Sequence, residues 1–191
     1  MAFATQTEIQ DGIGGAASEQ RPLRAAIGMR SRQLGDMFEQ WILRGCDWYW
    51  DKEIAYIEKT PEPMRPIKAY GDRRKGQFIA IYTKQAQPDF KGTLCDGSTI
   101  IFDAKSTSQD ILQQSAVTDE QRKEFDRYEK MGAHCYIMAT LDFTDFYRIP
   151  WSDWKAGPEK LGRKHFKRTD LEPYRIRCRN GVILFLEGIE L

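Results

Sequence analysis

The stretch QPDFKGTLCDGSTIIFDAKST, running from Gln87 to Thr107, decides how this chain is read. Its centre, Asp96-Gly97, is a turn signal between two short β-rich runs, Phe90–Leu94 and Thr99–Ala104. The stretch predicts a β-hairpin. Acids are poor strand residues and costly to bury unpaired, yet Asp89 opens this hairpin and Asp103 and Lys105 close it. Side chains alternate along a strand, so Asp103 and Lys105 share one face while Ala104 points to the other. Antiparallel pairing about the turn brings Asp89 and Asp103 to the same height. Two carboxylates and one ammonium therefore converge on one spot.

Two carboxylates that close repel unless a cation sits between them. Oxygen-only ligation completed by water favours Mg²⁺ or Mn²⁺ over zinc. The lysine is then free to hold a water or to steady charge that develops on a phosphate. In chemical terms the hairpin carries a metal-dependent phosphodiesterase site.

Outward from the hairpin, apolar residues Ile27, Leu34, Phe38, Trp41 and Ile42 fall at helical spacing and predict an amphipathic helix from about Ile27 to Trp50, broken in its first turns by Ser31. Residues 1–26 have no apolar period and read as a flexible tail, leaving residues 27–191 as one domain. Ile54–Ile57 predicts a strand, and Lys59-Thr60-Pro61-Glu62-Pro63 ends it. Residues 65–77 read as basic and irregular, and Phe78–Tyr82 as a strand. After the hairpin comes a polar loop. A helix from Thr118 to about Met131 follows, with Thr118 and Gln121 as a capping box and Gly132 as its stop. Cys135–Ala139, Phe146–Ile149 and Val182–Leu186 are further strand candidates. This order gives an α/β fold with a mixed sheet flanked by helices, not an alternating doubly wound one.

No run is apolar for 18 residues and the N-terminus has no basic-then-apolar signal pattern, so neither a membrane span nor export is expected, and a cytoplasmic location is. The four cysteines form no Cys-x-x-Cys pair, which disfavours a zinc ribbon. The net charge of +1 conceals two basic segments, Arg65–Lys91 and Arg163–Arg179, each with seven Lys/Arg against two acids. They are either solvated loops or the footprint of an anionic partner.

The Pro88-Asp89 and Asp103-x-Lys105 pattern resembles the PD-(D/E)xK nuclease superfamily. Gly35-x-x-Phe38-Glu39, Glu58 to Pro63, YTKQAQPDFKG and IIFDAKST together resemble the RecU family of Holliday junction resolvases, from about Gly28 to Thr140. That resemblance implies a restriction-endonuclease-like fold and a projecting stalk over about residues 65–84. It implies a homodimer that cuts four-way DNA junctions with Mg²⁺. It assigns Asp89, Asp103, Lys105 and Glu39 to catalysis, with Asp89, Asp103, Glu39 and the Ala104 carbonyl at the metal. Two departures stand out: Asp103 where the family usually has Glu, and Glu120 where it has a His before the helix Gln.

The remaining candidates keep two readings each. Lys59 is a surface lysine or a contact to the scissile phosphate. Gln121 serves its cap, the metal site or DNA. Arg73, Arg74 and Lys75, flanked by Gly71 and Gly76, form a basic tip for phosphates, and Lys84, Arg163 and Lys164 extend the DNA-contacting set. Trp41, Trp48, Tyr49 and Trp50 read as core and subunit interface. Asp142 and Asp145 read as loop acids, and His134 and His165 are too few for a zinc or HNH centre. The rival functions are another PD-(D/E)xK nuclease of restriction or repair type, and a non-catalytic DNA-binding module.

Overall fold

The computed structural model describes residues 15–71, 75–83 and 87–189, with side chains from residue 28 onward. In chain order it contains α1 (Gly15–Asp51), β1 (Ala55–Lys59), β2 (Met64–Ala69), β3 (Phe78–Tyr82), β4 (Phe90–Leu94) and β5 (Thr99–Thr107). Then come β6 (Ile111–Gln113), α2 (Asp119–Lys130), β7 (His134–Leu141), β8 (Asp145–Pro150) and α3 (Trp151–Leu161). Last are β9 (His165–Lys167), α4 (Arg168–Leu171), β10 (Arg175–Ile176), β11 (Cys178–Arg179) and β12 (Val182–Ile183).

The main sheet has the order β1-β4-β5-β7-β8-β10. Its pairs are antiparallel except β5 with β7, which run parallel from Ile100↔His134 to Thr107↔Leu141. A parallel neighbour needs a crossover, and the segment holding β6 and α2 supplies it. The expected mixed sheet flanked by helices is present.

Alternation along β5 divides the core into two layers. Ile100 and Phe102 pack with Phe38, Ile42, Cys46 and Tyr49 of α1, and Ile101 packs with Phe125 of α2 and Trp151 and Trp154 of α3. Buried α1 positions 38, 42, 46 and 49 trace one helical stripe. With apolar residues on both faces, the centre of the sheet cannot shift register without exposing one layer.

Several elements differ from the sequence reading. The first helix begins at Gly15, inside the segment read as tail; Ala16, Ala17, Glu19 and Gln20 are good helix formers that need no apolar stripe. Residues 1–14 lie outside the described residues. Met64–Ala69 is a strand rather than irregular chain, and with β3 it makes a separate two-stranded ribbon bulged between Pro66 and Lys68. Both strands are edges there, so Pro66 is tolerated. Every residue of the ribbon's strands is exposed except Ala80, which is partly covered. Ile111–Gln113, read as loop, pairs with β9. Helix α3 was not expected, and it carries Gly157-Pro158 within it. Gly157 is required there, since a Cβ would lie 2.3 Å from the Phe166 ring, which itself stacks on Trp154 at 5.1 Å. At the C-terminal end only Val182–Ile183 is strand, paired with β11 around Asn180-Gly181, both at positive φ. That dipeptide was an unread hairpin signal.

Gly92 lets β1 approach β4: a Cβ at this position would sit 2.2 Å from the Tyr56 carbonyl oxygen and 2.7 Å from the Ile57 Cα. Because backbone cannot give way as a side-chain tip can, Gly92→Ala is expected to destabilise the fold by about 1–3 kcal/mol. Denaturant unfolding of the variant beside the wild type measures this.

Candidate active site

The site forms where β4 begins and the apolar part of β5 ends. Beyond the Phe90↔Phe102 pair the two strands are joined by side chains instead of ladder bonds. The Asp89 backbone N–H donates to Asp103 Oδ1 at 3.0 Å, and the Ala104 N–H donates to Asp89 Oδ2 at 2.9 Å. This reciprocal clasp sets the two carboxylates at one height, as antiparallel pairing predicts. The Thr60 N–H, just past β1, donates to the Asp89 carbonyl at 2.7 Å and fixes Asp89 from the other side.

Asp103 lies on the α2 face of the sheet and is fully buried. Its Oδ2 accepts from Lys105 Nζ at 2.7 Å and from Gln121 Nε2 at 2.6 Å. Gln121 therefore does two jobs. Its Oε1 closes the Thr118 capping box while its amide holds Asp103. Arg122 braces the turn before α2 by donating to the carbonyls of Gln114 and Val117. The start of α2 is thereby tied to the acid it serves.

Asp89 has no ammonium partner among the described residues. Burial pushes its carboxyl up to about 6, and the neighbouring Asp103 carboxylate adds to the rise; Lys105 and the Ala104 N–H pull the other way. Glu39 comes from α1, one turn after Gly35, which lies against Ser106 at the end of β5. Its carboxylate is paired with Lys59 Nζ at 2.5 Å. Across this end of the sheet the Glu39 charge acts on Asp89, and the Asp89 charge acts on Lys59. Among the described residues no three His, Cys, Asp or Glu side chains are close enough together to hold a metal. Glu39 is thus near the aspartates but engaged with Lys59.

The donor set fits a hard divalent cation. Asp89 is a half-buried carboxylate with no ammonium bonded to it among the described residues, and the Asp103 carboxylate lies beside it. What the metal adds when bound is Lewis-acid polarisation of a phosphoryl oxygen and a more acidic bound water.

The other expected contact residues are placed unevenly. Lys75 is exposed at the tip of the β2–β3 ribbon, between Gly71 and Gly76 at φ of 66° and 65°. Arg73, Arg74 and Lys84 lie outside the described residues. Arg163 is bound to Asp170, while Lys164 has no ion pair among the described residues. The second basic segment is largely consumed within the fold. Arg168 pairs with Asp110, Asp142 and Asp145, Arg175 with Asp145 and Glu172, and Arg177 with Glu187. The loop acids Asp142 and Asp145 are its partners. Tyr49 is core, its hydroxyl accepting from the Leu186 N–H, whereas Trp48 and Trp50 are exposed. Sequence reasoning did not find the Thr60 N–H bond to Asp89 or the Glu39–Lys59 pair, since both join segments distant in the chain.

Fold and site together define a mixed-sheet α/β protein with an acid–acid–lysine cluster at the open end of a hairpin. The chain belongs to the family of Recombination protein U (RecU), whose model matches residues 33–190. It is 29% identical over 94 residues to the Holliday junction resolvase RecU of Streptococcus sanguinis (strain SK36), covering 49% of this chain and 46% of that protein. It is 32% identical over 76 residues to the Holliday junction resolvase RecU of Streptococcus oralis, covering 39% of this chain and 38% of that protein. Both alignments span less than half of the relative's length. A solved structure with partial likeness is Archaeoglobus fulgidus Hjc, a Holliday junction resolvase from an archaeal hyperthermophile. It covers 73% of this chain and 93% of its own, but a TM-score of 0.41 at 12% identity is too loose to bear on the reaction.

The raised carboxyl of Asp89 has a measurable consequence in metal-free protein. Between its ordinary value near 3.8 and its folded value of about 6 the native state binds more protons than the unfolded state, so its contribution to stability falls as pH rises through that window and stays lost above it. Asn at this position keeps an oxygen for the Ala104 N–H and carries no charge. In the presence of a chelator, Asp89→Asn is expected to melt close to wild type near pH 4 and several degrees higher near pH 8. Melting curves across that range check the divergence.

Proposed function

We propose that this protein is a divalent-metal-dependent DNA endonuclease that resolves four-way (Holliday) junctions. The observation that carries the proposal is the clasped Asp89–Asp103 pair with Lys105 on Asp103, in a chain of the RecU family. The relatives are Holliday junction resolvases, and such a centre suits that activity. In this reading Asp89, Asp103 and the Ala104 carbonyl hold Mg²⁺, with Mn²⁺ able to replace it, and Glu39 completes the outer ligation. Lys105 orients the attacking water and steadies the charge on the scissile phosphate. Gln121 holds Asp103 in its productive rotamer. In-line attack leaves a 5′-phosphate and a 3′-hydroxyl.

Paired nicks on two-fold symmetric DNA call for two linked centres, so the working unit is a homodimer. Exposed Trp48 and Trp50 at the end of α1 and Tyr56 on the edge strand β1 support a subunit contact there. The β2–β3 ribbon exposes Ile67, Tyr70, Phe78, Ile79 and Tyr82, an apolar surface of the kind that marks interaction sites. With Lys75 at its tip, and with Arg73 and Arg74 preceding that lysine in the sequence, it is proposed as the stalk that meets junction DNA. Lys59, Lys84, Arg163 and Lys164 are the further DNA contacts proposed. Among the described residues no helix is long and apolar enough to cross a membrane, and an intracellular site of action follows from the proposed substrate.

A synthetic four-way junction and a linear duplex of matching sequence, incubated with Mg²⁺, test the proposal. Asp89→Asn and Asp103→Asn are expected to abolish cleavage while junction binding survives. Lys105→Ala is expected to slow it by about 10²-fold or more, the scale for losing one transition-state charge stabiliser. Equal cutting of both DNAs would replace the resolvase reading with that of a general nuclease. Replacing Arg73, Arg74 and Lys75 with alanine is expected to weaken junction binding more than duplex binding and to lower the salt slope by roughly one unit per lost phosphate contact. Binding titrations at several salt concentrations measure both.

A further inference from the structure

We infer that the cleft beside the first turn of α2 seats a backbone phosphate of the bound DNA, a neighbour on the cut strand of the phosphate that is attacked, with Lys164 as its cation. The inference rests on the DNA-cleaving reading and deepens it. The cleft has a volume of about 680 Å³, and Gln113, Ser115, Thr118, Asp119, Arg122 and Lys164 are among the residues that line it. That is room for a nucleotide unit rather than for a small ion alone.

The charge of the cleft is positive. Lys164 is exposed and makes no ion pair among the described residues. Arg122 donates to the carbonyls of Gln114 and Val117, which hold its guanidinium without neutralising it. Asp119 is the one carboxylate among the described lining residues, and it lies 3.9 Å from Arg122 with its side chain mostly in water. Two cations against one solvated acid leave one positive charge. The hydroxyl of Thr118 accepts from the Gln121 N–H, which leaves its own proton for a ligand. The start of α2 adds to this, because its first N–H groups have no acceptor within the helix and its dipole favours an anion.

The cleft is built in advance and stands next to the reaction. Gln114, buried beneath it, donates its amide to the Trp154 carbonyl at 2.6 Å and its N–H to the Lys164 carbonyl at 3.0 Å. The second bond ties the backbone of Lys164 to the turn that carries Ser115, and the β6–β9 pairing continues from there with Gln113↔His165. Lys164 thus has a fixed base and a free ammonium, so little backbone order is lost when it meets a phosphate. On the other side, the Gln121 carboxamide accepts from the Thr118 N–H at 3.1 Å and donates to Asp103 at 2.6 Å. The wall of the cleft and Asp103 stand one hydrogen-bonded carboxamide apart, the scale on which phosphates follow one another along a strand. Contacts of this kind set the register of the DNA without reading its bases.

Full-length protein and the DNA that it cuts, four-way junction or linear duplex, test this. Cleavage in Mg²⁺ first locates the scissile linkage. DNAs carrying one uncharged methylphosphonate at each neighbouring linkage are then titrated in EDTA, where no cutting occurs. At one of these positions the neutral linkage is expected to weaken wild-type binding about tenfold, the scale of one hydrogen bond to a charged group. Lys164→Gln is expected to lose that same factor on unmodified DNA and to be indifferent to the methylphosphonate at that position, whereas Lys164→Arg follows wild type. A lysine that only supports the fold gives no such position. Wild-type affinity in Lys164→Gln, or a loss that adds to the effect of every methylphosphonate, overturns the inference and leaves the nuclease reading standing. A wild type that cuts neither DNA in Mg²⁺ overturns both.

Discussion

The clasp between Asp89 and the Asp103–Ala104 step is the contact on which the site depends. Past the Phe90↔Phe102 pair no further backbone pairing joins β4 to β5 among the described residues. Here the carboxylates become part of the ladder. Each aspartate accepts a backbone N–H from the opposite strand, at 2.9 and 3.0 Å. The arrangement spends one oxygen of each acid on position and keeps both side chains at one depth. Hydrogen bonds to ionised groups are stronger than neutral ones, so the clasp also pins the hairpin at its open end.

That economy creates an electrostatic imbalance. Asp103, with no exposure to solvent, is matched by Lys105 and Gln121. Asp89 is matched only by the Ala104 N–H and, at longer range, by Lys105, and its carboxyl rises accordingly. A half-buried carboxylate with so little positive charge against it costs stability in the free protein and lowers the cost of binding a cation. The same trade recurs at the periphery with the opposite outcome. Around Arg168 the acids outnumber their cation, and pairing with Asp110, Asp142 and Asp145 is structural: it ties the β7–β8 turn to the chain before β6 and to α4. Clusters of charge are therefore not equivalent. The pairing around each acid separates a scaffold from a site.

Much of this could be read in the chain. Asp96-Gly97 and the flanking β runs located the β4–β5 hairpin, and strand alternation put Asp103 and Lys105 on one face, where they touch. The capping box of α2 was legible to the residue, and its Gln121 had an open second role that proved to be a bond to Asp103. Less was legible where pairing is long-range. Strand β6 has three residues and no pattern of its own; it exists because β9, some fifty positions later, lies beside it. Helix α3 contains Gly157-Pro158 and forms because Trp151 and Trp154 are buried and the Phe166 ring needs the space at Gly157. Tertiary packing overrode propensity in both.

The sequence by itself determined the local chemistry: a hairpin with acids at its open end, a lysine two residues on, a capped helix behind it, and a basic segment after the proline turn. These follow from turn residues, side-chain period and capping, all of which act within about ten residues. Tertiary structure decided which charges are spent. Glu39 and Lys59 are twenty positions apart and meet because α1 crosses the end of β5 while β1 pairs with β4. Arg163 and Arg168 look as available as Lys75 in the sequence, yet Asp170 claims the first and Asp110, Asp142 and Asp145 claim the second. A charge pattern shows what a chain could present to a partner. Only the packing of distant elements, which fixes distances and excludes water, settles which of those charges remain to be presented.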